Sequence, residues 1–383
     1  MGWARGDSAS YHFEEVLQPL TSIWPRFSKF LTSCGKLSKA EERTRTLLKS
    51  NIVIYGALYM KVPEMLTGVA IGDAFGVGLE MQDRNKLQDI TYDRWYNWRE
   101  GKYAENYTPR EYSDDTEHTI GLIEALLSGE PFSEDLLVHF WKREYENDKA
   151  RKGYPRQGHG SIEAYYNGAA SIEQIRESQS RRRHPGNAPV MRAAPLGLLP
   201  EKVLFNYSEI NANATHPHEE ARMGSVFIAI SSQFILNGGE HQELLAYCAE
   251  KDEFQQIHDK LRTIDAFGLP EELTYPEYQQ LCGPQPIKGA GGMIEGLPIS
   301  AIHTALTAGY ILKHTGDPFI GLQRSIQMGG DVDSLASIVV GILGGRYGLS
   351  TLPDFMREEV EGVDRLNELA HRFEQYLSQF KNL

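Results

Sequence analysis

Two groups of acidic residues carry the most chemical information in this chain. Ser113-Asp114-Asp115-Thr116 sets adjacent carboxylates between two hydroxyls. Far along the sequence, Gly329-Gly330-Asp331-Val332-Asp333-Ser334 offers two more acids and another hydroxyl. Hard divalent cations such as Mg²⁺ take oxygen ligands. Four carboxylates with hydroxyls beside them suffice for a pair of bridged ions, roughly 3.5–4 Å apart in two-metal hydrolytic sites. Both groups also have a plainer use. Asp114 is placed to accept from the free amides of a helix start, with Glu117 three residues on to complete a capping box. Asp331 is placed to cap a second helix. Asp333 suits capping less well, because an acid inside the first turn of an otherwise apolar helix is costly to bury unless paired or metal-bound. The glycines at 329 and 330 are read as letting backbone approach a ligand.

Weaker features accompany them. In Gly72-Asp73-Ala74-Phe75-Gly76 the small residues point to close helix packing, and Asp73 needs a hydrogen-bonding partner there. Glu80, at the end of that apolar segment, is a candidate catalytic acid or movable ligand. Gly186-Asn187-Ala188-Pro189-Val190-Met191 reads as a turn into a helix, whose first amides could hold phosphate. His216, in Thr215-His216-Pro217, reads as a packing residue or a ligand contact. Arg181 to Arg183 reads as a solvated loop able to attract a pyrophosphate. Cys34, Cys248 and Cys282 are odd in number and widely spaced; they fit no zinc pattern and suit reduced, buried thiols.

Helices must position these groups. Small apolar residues run from Glu64 to Gly78. Helical spacing recurs over Thr116–Leu127, Phe132–Tyr145, His218–Leu236, Leu244–Cys248, Ile299–Leu312, Pro318–Gln327 and Asp364–Phe380. Val332–Tyr347 is almost wholly small or apolar, which predicts a central helix buried on every side. Alternating strand patterns are scarce, so the body, residues 61–383, is expected to be one mainly α-helical domain. Residues 1–60 are expected to form an N-terminal extension. Met81–Tyr112, Arg176–Ala194 and Leu281–Pro298 are read as irregular segments, which in a helical body are often functional.

The net charge of −13 argues against non-specific binding to nucleic acid or to an anionic membrane. Apolar stretches such as Ser337–Leu343 are far shorter than the roughly 18 residues of a spanning helix. Glu14 and Glu15 stand where a signal peptide needs an apolar core. The expected location is the cytoplasm.

The order of the motifs is more specific than any one of them. GDAFGVGLE at 72–80, YSDDTEHT at 112–119, GNAPVMRAAPLGLL at 186–199, THPHEEAR at 215–222 and GGDVDSLASIVVGILGGRYG at 329–348 together resemble the ADP-ribosylglycohydrolase family, from about Pro63 to Leu349. The resemblance implies a compact, orthogonal all-α domain with two Mg²⁺ ions, or Mn²⁺. It implies release of ADP-ribose from a modified protein, most often from arginine, by cleavage at the anomeric carbon of the distal ribose. Serine-linked or other ribosyl substrates are the alternative. By the same resemblance Ser113, Asp114 and Asp115 supply one half of the metal site, and Asp331, Asp333 and Ser334 the other. Asp115 and Glu80 are the implied catalytic carboxylates. Gly186, Asn187 and Met191 match the loop around ribose and phosphates, and His216 lies near the adenosine. Gly292 aligns with a glycine whose neighbouring tyrosine often packs on adenosine, although Met293 follows it here. Ala188 and Pro189 depart from the family's smaller residues, and serines stand at 113 and 334 where threonine is common. Some members neutralise an ADP-ribosyltransferase toxin, a partner role that residues 1–60 could serve.

Overall fold

The computed structural model describes residues 61–97, 108–153, 158–289 and 291–382. These include sixteen α-helices and one β-hairpin. In chain order the helices are α1 (Lys61–Gly76), α2 (Asp114–Leu127), α3 (Glu134–Lys152), α4 (Glu163–Tyr166), α5 (Ile172–Ser180), α6 (Ala188–Met191), α7 (Glu201–Asn213) and α8 (Glu219–Leu236). They continue as α9 (Leu244–Ala249), α10 (His258–Asp265), α11 (Tyr275–Cys282), α12 (Ala301–His314), α13 (Pro318–Gln327), α14 (Val332–Tyr347), α15 (Asp354–Glu359) and α16 (Val363–Ser378). The hairpin pairs β1 (Ile287–Gly289) with β2 (Gly292–Ile294), Ile287 opposite Ile294. The proposed extension, 1–60, lies outside the described residues, and so does any partner role assigned to it.

α14 is the axis of the fold. It is buried from Val332 to Gly345, as its uniformly apolar composition requires. α1 lies along it with backbone against backbone. Gly68, Gly72 and Gly76 recur every four residues, on one ridge of α1. A Cβ on Gly68 would stand 2.6 Å from Val340 O, one on Gly72 2.3 Å from Ala336 O, and one on Gly76 2.4 Å from the Asp333 Cα. The helices therefore run antiparallel in direct contact, which brings Asp73 of α1 to the acidic end of α14. α12 and α13 pack on α14 as well, α16 covers α1, and α2 packs on α3. Residues 62–79 have the length and apolarity of a membrane span, contrary to the reading from apolar runs; 89% of that stretch is buried inside the fold, which makes it a core helix.

Two expected helices, Pro318–Gln327 and Val332–Tyr347, appear with those bounds. α3 runs beyond the expected Tyr145 through a charged stretch until Gly153 turns left-handed at φ 81°. The segment 176–194 is less irregular than expected. α5 enters it, started by a capping box between Ser171 and Gln174, and α6 closes it. Cys248 and Cys282 are buried thiols, each pushed up to about 12 by burial, which suits packing rather than nucleophilic chemistry. Cys34 lies outside the described residues.

The α1–α14 contact has no room for a methyl group. Gly72→Ala should lower stability by about 2 kcal/mol or more, measured by urea unfolding. The same change at Gly291, where a Cβ meets nothing within 4 Å, should stay within about 0.5 kcal/mol.

Candidate metal and active site

The site is built upward from Asp73. This wholly buried carboxylate accepts from Ser113 N (2.9 Å) and Oγ (2.7 Å) with one oxygen. Its other oxygen accepts from Thr116 N (2.9 Å) and Oγ1 (2.6 Å). Asp73 therefore does from α1 the capping that sequence assigned to Asp114. Ser113 is the N-cap residue of α2 and makes no side-chain cap bond. The expected capping box is not formed either, because Glu117 pairs with His159 Nε2 at 3.0 Å. Asp114 and Asp115 are thus released from helix capping.

The start of α14 behaves in the same way. Asp331 holds the N-cap position without a side-chain cap bond, and accepts instead from Asn187 Nδ2 at 2.5 Å. Asp333 accepts from its neighbour Ser334 N at 3.0 Å. Gly329 and Gly330, both left-handed, let three backbone segments meet closely. Leu297 N donates to Gly329 O, Met81 N to Gly330 O, Gly330 N to Gln82 O, and Asp331 N to Leu297 O. This clasp ties the segment after Glu80 to the start of α14. It also holds Met81 in the left-handed region at φ 57°.

Glu80, Ser113, Asp114, Asp115, Asp331, Asp333 and Ser334 all line one open cavity. Its volume is about 230 Å³, many times what one water needs. Carboxylate oxygens of Glu80, Asp331 and Asp333 lie within 4.8 Å of one another. Asp115 accepts from Ser337 Oγ at 3.3 Å. Burial is the main force on the acids, and repulsion from the neighbouring carboxylates adds to it. Asp114 and Asp331 are pushed up to about 7, with His159 partly offsetting the rise at Asp114 and Asn187 that at Asp331. Asp115 and Asp333 are held well above the usual carboxylate range. So many acids facing one cavity call for a counter-charge. The donors are all oxygens, which fits Mg²⁺ or Mn²⁺ and not a soft metal.

Gly186, Asn187, Met191 and His216 line the same cavity, with Arg182. Around α6, Gly186 N faces Gln179 Oε1 (3.5 Å), and Val190 and Met191 N both use Asn187 O. Met191 Sδ accepts from Ser334 Oγ at 3.9 Å, joining this segment to the acids. Gly292 is not brought here. It is an exposed residue of the β-hairpin and is not among the residues that line this cavity. Arg181 is exposed and pairs with Glu177, which leaves Arg182 as the member of the arginine run that faces the cavity.

Several cavity residues had been passed over. Gly158 crosses Asp114 so closely that a Cβ would stand 2.3 Å from Asp114 Oδ1. His118 lies one turn beyond Asp115 on α2, and Arg192 directly follows Met191. Their helical spacing was the available signal; their long-range partners were not visible in sequence.

The fold and the site together define an all-α protein with a cluster of acids at the starts of two helices. The ADP-ribosylglycohydrolase family model matches residues 56–381, and the chain belongs to that family. ADP-ribosylhydrolase ARH3 of Mus musculus is 26% identical over 341 residues, covering 80% of this chain and 88% of that protein. ARH3 of Bos taurus is 25% identical, covering 80% and 90%. The ADP-ribosylarginine hydrolase Tri1 of Serratia proteamaculans is 24% identical, covering 82% and 78%. A solved structure described as an ADP-ribosylglycohydrolase-related protein complex shares the fold, with a TM-score of 0.61 at 20% identity over 84% of this chain and 99% of that one. The protein is an ADP-ribosylglycohydrolase.

Asp73→Asn places an amide group against hydroxyl and amide donors. It should cost about 2–4 kcal/mol, measured by chemical denaturation, and should lower activity although Asp73 does not line the cavity.

Proposed function

We propose that this enzyme is a metal-dependent hydrolase that releases ADP-ribose from arginine side chains of modified proteins. The observation that carries the metal reading is the convergence of four buried aspartates and Glu80 on one cavity. The arginine linkage is supported by the likeness to the ADP-ribosylarginine hydrolase, at 24% identity. The several ARH3 relatives, whose name specifies no linkage, support ADP-ribose hydrolysis in general and are compatible with a second reading in which a serine or other ADP-ribose linkage is cut.

Asp114, Asp115, Asp331 and Asp333, with the Ser113 and Ser334 hydroxyls, would hold two Mg²⁺ or Mn²⁺ ions. When bound, such ions neutralise the acids and fix vicinal ribose hydroxyls. The chain's own residues then handle the proton. Hydrolysis breaks the bond from the anomeric carbon to the guanidino nitrogen. Water supplies the new oxygen at that carbon and, in balance, one proton to the leaving nitrogen. The reacting carbon passes through an oxocarbenium-like state, which nearby carboxylates stabilise. Glu80 is half-buried where the other acids are buried, so it meets entering water and is placed to take its proton. Asp115, with Ser337 Oγ 3.3 Å away, is the second carboxylate available to the reacting carbon.

Release of free ADP-ribose from arginine-linked substrate should require Mg²⁺ or Mn²⁺. It should fall at least about a hundredfold in Asp333→Ala, with the circular dichroism spectrum retained. Comparing arginine-linked with serine-linked substrate separates the two readings; faster turnover on the serine linkage would reject the first. Metal binding should also depend on pH. The raised acids favour folding of the metal-free chain below their unfolded value near 3.8, and this contribution is lost as pH rises toward about 7. The buried, neutral His118 and His216 act in the opposite sense, losing stability as pH falls through their unfolded value near 6.5. The metal increment isolates the acids: Mg²⁺ should raise the melting temperature more at pH 8 than at pH 5.5, where protons compete. An equal or larger increment at pH 5.5 would contradict the assignment.

A further inference from the structure

Arg192 is wholly buried, and its guanidinium carbon stands 3.6 Å from the centre of the Trp141 ring. A guanidinium donates at every nitrogen and accepts at none. Nε donates to Asn211 Oδ1 (2.7 Å), and Nη2 to Asn211 O (3.1 Å) and Thr215 Oγ1 (3.0 Å). Nη1 reaches His118 Nδ1 at 3.1 Å. Burial pushes the group down to about 9, which leaves it protonated at neutral pH. Four hydrogen bonds thus tie His118 to the 211–215 segment that leads into His216.

The proton count follows. Thr215 Oγ1 accepts from Arg192 and has one hydrogen of its own. Its other hydrogen-bonding neighbour is His216 Nδ1, at 2.7 Å. Donation from the hydroxyl leaves no hydrogen unused, whereas an Nδ1–H aimed at Oγ1 would leave the hydroxyl hydrogen without a partner among the described residues; this favours Nδ1 as acceptor and the single proton of the neutral ring on Nε2. Burial, then the charges of Arg192 and Arg182, hold His216 well below its ordinary value and keep the ring neutral. The same logic applies to His118. Its Nδ1 accepts from Arg192, and its Nε2 carries the proton toward Tyr166 Oη at 3.4 Å. His216 Nε2 lies at the cavity wall beside Gly186, where a Cβ would come within 3.0 Å of it.

We propose that Arg192 is a positioning residue for ADP-ribose: acting through Thr215, it fixes His216 as an Nε2–H donor for an acceptor oxygen of the bound ligand. The relay rests on geometry alone, and only the identity of the ligand rests on the family. A buried imidazole without this relay could exchange its proton between nitrogens, and half of its states would present a lone pair to the ligand's own lone pairs. Glycine at 186 keeps the approach to Nε2 open.

The test uses the full chain with ¹⁵N-labelled histidine at pH 7.5 and Mg²⁺, with His216→Gln assigning the resonance. The ring shifts of His216 should show a protonated Nε2 and an unprotonated Nδ1. Thr215→Val keeps the shape and removes the hydroxyl, and Arg192 Nη2 retains Asn211 O. In that variant the two tautomers should mix, and the Kd for ADP-ribose should rise about three- to tenfold, the worth of one hydrogen bond. In turnover the loss should fall on KM and not on kcat, because the acids are untouched. Thr215→Ser should restore both tautomer and affinity. A wild-type His216 protonated on Nδ1 overturns the proposal, and so does a Thr215→Val variant with unchanged tautomer and affinity. The wild-type spectrum decides the tautomer even if Thr215→Val does not fold. A wild-type chain with the expected tautomer but no affinity for ADP-ribose would overturn the ligand, and with it the binding role.

Discussion

Burying several carboxylates around one cavity is the constraint on which this structure turns. Each acid loses hydration and repels the others, so none would stay in place without support. That support comes from three directions. α2 and α14 aim their N-termini at the cavity, where the helix dipole favours negative charge. Asn187 donates to Asp331, and Ser337 to Asp115. Asp73 takes over the capping of α2, and leaves Asp114 and Asp115 free for ligand. The charge that remains is what the proposed cations would neutralise.

The core serves this arrangement. The glycine ridge of α1 lets Asp73 and the Asp331–Asp333 turn meet at one end of a backbone-to-backbone contact. The Gly329–Gly330 clasp then fixes the segment after Glu80 against the start of α14. One buried guanidinium organises His118, Asn211 and Thr215. The cavity lining divides between a cluster of acids and neutral donors beside Arg182. That division suits a ligand whose reacting ribose sits at the acids while its remaining polar oxygens need donors.

Much of this was legible in the sequence, for physical reasons. Val332–Tyr347 could only be a buried helix, since no face of it is polar. The misfit of Asp333 with capping pointed to a ligand role, and the structure puts Asp333 in the cavity. The reading of Asp114 as a cap failed because the acceptor, Asp73, comes from forty residues away. Gly329 and Gly330 were read as room for a ligand, whereas their left-handed backbone meets residues 82–84 and 296–297. Gly292 was placed by alignment alone, and the exposed hairpin that carries it had no alternating pattern to announce it. α5 was hidden because its charged surface leaves only Ile172, Ile175 and Gln179 buried. The relay from Arg192 joins residues of unremarkable type, and only their assembly gives them meaning.

The most direct test of the central claim, that these acids form a two-ion site, is electron paramagnetic resonance of the full chain loaded with Mn²⁺. The account predicts two bound ions with a spin-coupled spectrum, collapsing to a weak or single-ion signal in Asp115→Ala. A wild-type chain that binds no Mn²⁺, or shows one uncoupled ion unaffected by that substitution, would contradict it.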